Sequence, residues 1–312
     1  MAADDNTRLY YGGQAVIEGV MIRGRRSMVV SVRKPDGQIT SYSQELKGIF
    51  TGRIRDIGFI RGVLVLIETL ALGMRALNFS SNIQLGADRS EATKTGPALW
   101  ISMAIALTIG ISVFFIGPVL ATNWLHSHIG SEYLVVTIEG LLRVMIFISY
   151  IWAIGFIPDI RRVFAYHGAE HKTIHAYEND EPLTPESIQR FSPAHPRCGT
   201  SFLLVVALVS IVLFVGLGKL DLPELLLSRI IFVPIIAAIA YEVIRFGGSF
   251  QHIPLVAFLF KPNLGLQWFT TRQPDDRMVE VAIHALESVI AAEKVLERQG
   301  ELAPDEGAVA IS

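Results

Sequence analysis

His167, Gly168, Ala169, Glu170 and His171 spell His-x-x-Glu-His. This is the inverted form of the zinc-protease motif, in which two histidines one turn apart bind a metal ion and the glutamate polarises a water. The chemistry requires a helix, because only there do side chains at i and i+4 share a face. His175 extends that face by one more turn, drifting by about 40° per step at 3.6 residues per turn. The run "VFAYHGAEHKTIHAYE" has no internal proline and can be helical, although Gly168 costs roughly 1 kcal/mol relative to alanine. The plain alternative is an amphipathic helix whose polar side faces water.

A catalytic zinc of this type takes three protein ligands and keeps a fourth position open. Glu242, in "AYEVIRF" about one turn inside the end of an apolar segment, is the expected third ligand, since ionisable residues at membrane depth are costly and usually functional. Its simpler role is an ion pair with Arg245. His195 and Cys198 in "HPRCGTS" are further candidate ligands, with Cys198 alternatively a nucleophile served by a histidine base. Glu139 and Arg143, one turn apart, read as a buried ion pair or as a polar step in a transport path. Arg23, Arg25 and Arg26 read as an inner-leaflet anchor or a phosphate cradle. The surrounding glycines do not form a nucleotide-binding loop.

The elements that must position these residues are set by hydropathy. Of the 312 residues 51% are hydrophobic, and a mean hydropathy of +0.44 is too high for a typical soluble enzyme. A net charge of −2 provides no basic field for nucleic acid. One cysteine excludes an intramolecular disulfide and any multi-cysteine zinc ribbon. Four segments, near 97–123, 132–157, 199–218 and 225–246, are long enough to cross a hydrocarbon core, which takes about 20 helical residues. The joint "NWLHSHIGSE" lacks Lys and Arg, whereas the flanking segments carry many, so both termini and the loop 158–198 are expected in the cytoplasm. The start "MAADDNTRLYYGGQ" has no apolar signal core, so internal segments would drive membrane entry.

Residues 57–80 are apolar but carry Arg61, Glu68 and Arg75 at seven-residue intervals, one charged stripe. They are expected as an amphipathic helix at the interface or packed on the bundle. "SMVVSVRKPDGQITSYSQEL" alternates around Pro35-Asp36-Gly37 and reads as a β-hairpin. After Pro274, Met278, Val281, Ala282, Ala285, Leu286 and Val289 recur at helical spacing, predicting an amphipathic helix over 274–299 whose apolar face could dock a cytoplasmic protein. A mobile tail is expected after it. The fold class is thus mainly α: a polytopic helix bundle with an N-terminal β-hairpin segment (1–55), an interfacial helix and linker (56–96), two spans (97–157), a His-rich cytoplasmic loop or helix (158–198), two spans (199–246) and a C-terminal cytoplasmic segment (247–312).

Four motifs together, "YGGQAVIEGVMIRG", "YHGAEHKTIHAYE", "HPRCGTSFL" and "YEVIRF", resemble the YqhQ family of bacterial multi-pass membrane proteins. The resemblance runs from about Tyr11 to the C-terminal helix. That family is a domain of unknown function labelled a predicted metal-dependent enzyme. The resemblance implies that His167, His171, His175, His195 and Cys198 are candidate ligands. The resulting expectation is a metal-dependent hydrolase of the inner membrane, with zinc or a similar ion on His167, His171 and Glu242, Glu170 as general base, and an amide or ester substrate. A membrane scaffold and a transporter are the two alternatives.

Overall fold

The computed structural model describes residues 11–46, 57–94, 96–126, 128–195, 198–217, 222–250 and 253–299. The expected mobile tail and the first ten residues lie outside them. Four strands come first: β1 (Gly12–Val16), β2 (Gly19–Arg23), β3 (Ser27–Arg33) and β4 (Ile39–Glu45). Helices follow as α1 (Ile60–Gln84), α2 (Arg89–Ala92) and α3 (Pro97–Ile111), which passes through a π-helical turn (Ser112–Ile116) into α4 (Gly117–His126). Next are α5 (Glu132–Ile154), α6 (Pro158–Glu178), α7 (Pro185–Ile188) and α8 (Thr200–Leu217). The series ends with α9 (Leu222–Ser249), α10 (Pro254–Thr270) and α11 (Asp276–Arg298).

The strands form one antiparallel meander in the order β1-β2-β3-β4. The expected hairpin is its second half: β3 and β4 meet through a turn in which Lys34 N–H donates to Gln38 O at 2.8 Å and Gly37 sits at φ 89°. A hairpin alone is therefore too small a description. Alternation along β3 explains why two more strands and two helical layers are needed. Met28, Val30 and Val32 face α1 and α2, packing with Leu72, Ala76, Phe79, Ile83 and Ala92. Val29, with Val20 and Ile22 of β2, faces the other way onto α6 and α11. Both faces of the sheet are thus covered, which accounts for the nearly unbroken burial of β3.

The apolar face of α11 is part of this core. Met278, Val281, Ala282, Ala285, Leu286 and Val289 are all buried against the sheet and α6. The stripe that the sequence leaves available for a cytoplasmic partner is covered by the chain itself. Glu293, fully buried on the same helix, accepts from Arg26 N–H at 3.0 Å and Ser27 Oγ at 2.6 Å. It thereby holds the β2–β3 turn.

Helix α1 connects the two parts of the molecule. Its N-terminal half lies along α9, where Gly62 faces Ala238 and Tyr241, and its C-terminal half covers the sheet. The charged stripe consists of tertiary contacts at two of its three positions: Arg61 bonds both carboxylate oxygens of Glu242 at 2.7 and 2.5 Å, and Glu68 receives Arg23 at 2.7 Å. Arg23 is therefore engaged by a carboxylate.

Two helical stretches, Trp100–Thr122 and Tyr133–Ile154, are long and apolar enough to cross a membrane. Trp100, Ile101, Ile105, Leu107, Leu141 and Met145 on them are exposed, an apolar surface that points to membrane association. Of the four expected spans, these two meet that measure among the described residues, and Phe202–Leu217 is a shorter apolar helix. Arg143 pairs with Glu139 at 2.5 Å and also donates from Nε to Phe114 O at 2.9 Å, inside the π-helical turn. The buried pair thus ties α5 to the preceding apolar helix. Helix α10 falls within the expected C-terminal segment 247–312 as an additional helix, and it carries Pro262 in its interior.

Candidate metal centre

Helix α6 begins with Pro158 in its first turn and with Asp159 near its N-terminus, both favourable at a helix start. Its middle is buried because a strand and a backbone crossing press on it from two directions. The segment between α10 and α11 crosses at Gly168, where a Cβ would stand 2.1 Å from Arg272 O. Arg272 N–H also donates to Phe164 O at 2.9 Å. Gly168, read from sequence as a helix-weakening residue, makes room for this crossing. Gly13 of β1 plays the same part on another side, since a Cβ there would lie 3.1 Å from Glu170 Cγ.

These constraints bring His167, His171 and Cys198 together, with one ligand atom from each within 4.8 Å of the others. Cys198 Sγ lies 3.3 Å from His167 Nε2. Both imidazoles are fixed by backbone carbonyls: His167 Nδ1 meets Thr270 O at 2.9 Å, and His171 Nδ1 meets Pro193 O at 2.6 Å. A carbonyl can only accept, so each Nδ1 carries a proton, and in the neutral ring each Nε2 presents its lone pair. That is the tautomer a metal-ligating histidine requires. Burial, and then the neighbouring His167, pull the His171 pKa below its usual value, which also favours the neutral ring. The thiol sits immediately before α8, 3.1 Å from Thr200 Oγ1 and 3.4 Å from Thr200 N.

Glu170 is 2% exposed. Burial pushes its carboxyl up to about 7; nearby His167 and the Gly13 N–H oppose the rise, and Glu178 adds to it. Its Oε2 has no hydrogen-bond partner and stands 3.5 Å from His171 Nε2. Leaving such an oxygen unsatisfied costs on the order of 1–3 kcal/mol, so its persistence beside the two imidazoles calls for a ligand or proton there. The donor set therefore fits a divalent ion: two imidazoles anchored at Nδ1, a thiol and an adjacent unpartnered carboxyl oxygen.

The remaining candidates divide. His195 is buried next to the cluster, with its ring 5.6 Å from His171 and 4.4 Å from His175. His175 is thus drawn towards the row without belonging to the three-residue group. Glu242 is not brought to the cluster. Its carboxylate is held by Arg61 from α1, with Phe59 N–H at 3.3 Å, so the third member of the group is Cys198 and not Glu242, the residue the sequence pointed to. The chain distance between the two residues hides this: an expected convergence of helix ends identifies a level, whereas α1 decides which side Glu242 faces. The Thr270 and Pro193 carbonyls carry no sequence signal because backbone acceptors are residue-independent.

A mainly helical chain with an N-terminal antiparallel sheet, two helices apolar enough for a membrane and a His-His-Cys cluster at α6 defines the architecture. The chain belongs to the family described as protein of unknown function (DUF1385), whose model matches residues 57–292. It is 33% identical over 301 residues to the uncharacterised protein YqhQ of Bacillus subtilis (strain 168), covering 92% of this chain and 94% of that one. No solved structure matches the chain.

Proposed function

We propose that this protein is a metal-dependent hydrolase of the bacterial inner membrane, a multi-pass chain with both termini and the His-rich helix in the cytoplasm. The observation that carries the reading is the convergence of one ligand atom each from His167, His171 and Cys198, with each histidine's Nδ1 proton tied to a carbonyl. A divalent ion, zinc by the thiolate-imidazole donor set, would supply Lewis acidity to a substrate carbonyl and to water. His167, His171 and Cys198 would hold it, and the Thr270 and Pro193 carbonyls would keep the two rings aimed. Glu170 would take a proton at Oε2 and release it to the leaving group, a role suited to a carboxyl raised towards neutrality. The substrate class is a peptide or a lipid-linked amide or ester. Support for that class is the site's position where the sheet-helix body meets the ends of α8 and α10, next to the apolar helices.

The experiment is metal analysis of the purified full chain, with and without the paired change His167→Ala and His171→Ala. Stoichiometric zinc lost in the double variant is the expected result; equal metal in both overturns the reading. A second reading rests on the 3.3 Å approach of Cys198 Sγ to His167 Nε2: a thiol nucleophile with a histidine base oriented by Thr270 O. It predicts activity that survives chelation and is lost to thiol alkylation, whereas the metal reading predicts loss on chelation and restoration by zinc.

A further inference from the structure

The outer face of α10 is apolar and uncovered. Leu255, Phe258 and Leu259 are 67%, 63% and 64% exposed, and Trp268 is 80% exposed. The inner face of the same helix supports the metal centre: Thr270 O holds His167, and buried Gln267 accepts from His195 N–H and donates to His195 O, each at 2.8 Å. We propose that α10 lies in the plane of the cytoplasmic leaflet with its outer face among the acyl chains, although the sequence placed residues 254–270 in a cytoplasmic segment. The proposal rests on the membrane part of the reading above and is independent of hydrolysis.

Orientation comes from where α10 touches the bundle. The end of α5, the start of α8 and the end of α9 stand at one level, since Ile151 packs with Leu204, and Val205 with Ala240 and Ile244. Helix α10 begins at that level, where Ile253 N–H donates to Phe250 O at 3.0 Å just past α9. It also finishes there, beside His167 and Cys198. Its 17 residues make a rod of about 26 Å, which can start and stop at one level only by lying across the bundle. Two contacts agree: Leu266 joins Ile151 and Leu204, and the Phe260 ring fills the space in front of Gly247 near the end of α9. Phe260 and Leu266 are about 9 Å apart along the axis, yet both rest within about a turn of those helix ends. A spanning helix would put one of them that much deeper.

The occupant follows from continuity and charge. Exposed Trp152 and Phe156 close α5, and exposed Phe246 and Phe250 close α9, so the apolar surface of α10 continues onto both helices. Trp152 and Trp268 then mark the head-group level that tryptophan favours. From Phe250 to Gln273 the sequence has no acidic residue, and its charges are Lys261 and Arg272. Lys261 Nζ lies 5.6 Å from the Phe258 ring centre, an ammonium beside an apolar ring, which suits a lysine reaching from the acyl region to an anionic surface. A second copy of the chain on this face would set one basic, acid-free stretch against another.

The test is fluorescence of Trp268 as the sole tryptophan, with Trp100, Trp124 and Trp152 changed to Phe in the full chain. The chain is placed in phosphatidylcholine–phosphatidylglycerol vesicles brominated at shallow or at deep acyl positions, with acrylamide on both faces as the aqueous quencher. A reference chain carries Met145→Trp, in the middle of α5, with all four native tryptophans changed to Phe. Trp268 should be quenched most by shallow bromines and little by acrylamide, and the reference chain most by deep bromines. Strong acrylamide and weak bromine quenching of Trp268, with the reference chain quenched by lipid, overturns the in-plane helix and leaves the spans standing. A preference of Trp268 for deep bromines overturns the in-plane orientation. Shielding from both quenchers points to a second copy on this face and overturns the lipid contact. No lipid quenching of either chain removes the membrane reading itself. Should the sole-tryptophan chain fail to fold, the difference in quenching between wild type and Trp268→Phe supplies the same readout.

Discussion

Glu170→Gln in the metal-free chain tests the electrostatics of the site apart from its chemistry. Burial raises the carboxyl from 4.5 to about 7, so the folded state favours the protonated form. The contribution of Glu170 to stability is therefore complete below its unfolded pKa, declines between the two pKa values, and is a constant penalty above about 7. Between the ordinary value and about 7 this penalty amounts to about 3 kcal/mol at pH 8 and under about 1 kcal/mol at pH 5. Glutamine preserves the shape and is never charged. Its oxygen can keep the Gly13 N–H, and its amide can donate to the His171 Nε2 lone pair 3.5 Å from the present Oε2. The chelated variant should thus melt roughly 5–10 °C above chelated wild type at pH 8, by the usual conversion for large domains, with much of the gap closed at pH 5. Equal melting temperatures at pH 8, or a gap of the same size at both pH values, would refute a carboxylate held against its ionisation. The same variant, reloaded with zinc, should bind the metal but lose hydrolysis.

Glu242→Gln should leave metal content unchanged, because the carboxylate faces Arg61; a loss of metal would restore it as a ligand. The partly exposed pair should cost about 1 kcal/mol or less when broken, read as a small Tm decrease. Gly168→Ala places a Cβ 2.1 Å from a backbone oxygen, so a loss of about 1–3 kcal/mol is expected from overpacking. It should also lower zinc occupancy, because Thr270 lies just before the displaced segment. Leu286→Ala, at a fully buried position of α11, should destabilise by about 2–5 kcal/mol without altering metal stoichiometry in protein that remains folded. If it changes solubility of a bound partner instead of Tm, the intramolecular role of α11 is wrong.

Period and spacing made much of the helical skeleton legible. The α6 histidines announce themselves at i and i+4, and α11 is readable from its apolar stripe together with the Pro274 and Asp275 start, where Asp275 Oδ1 accepts from Met278 N–H at 2.9 Å. What period cannot tell is where an apolar stripe goes. The α11 stripe covers a sheet whose first half, "GGQAVIEGVMIR", is too rich in glycine and charge to stand out as two strands. Charge also misleads without tertiary context: Arg61, Glu68 and Arg23 read as surface groups although each meets a partner far away in the chain.

The third member of the cluster shows the limit most clearly. Glu242 and Cys198 both stand at the ends of apolar segments, and the general cost of an ionisable group at such depth favours the glutamate. That cost is met by an arginine 181 positions away in the chain, on a helix whose own placement depends on the sheet. Cys198 carries little cost when buried and so gives little signal, yet its place before α8 puts sulfur, imidazole nitrogen and a threonine hydroxyl into contact. Buried charge therefore locates what must be neutralised, and it identifies a binding site only when neutralisation inside the chain is incomplete. Glu170, with one carboxylate oxygen left without a hydrogen bond, meets that condition, and Glu242, with both oxygens held by Arg61, does not.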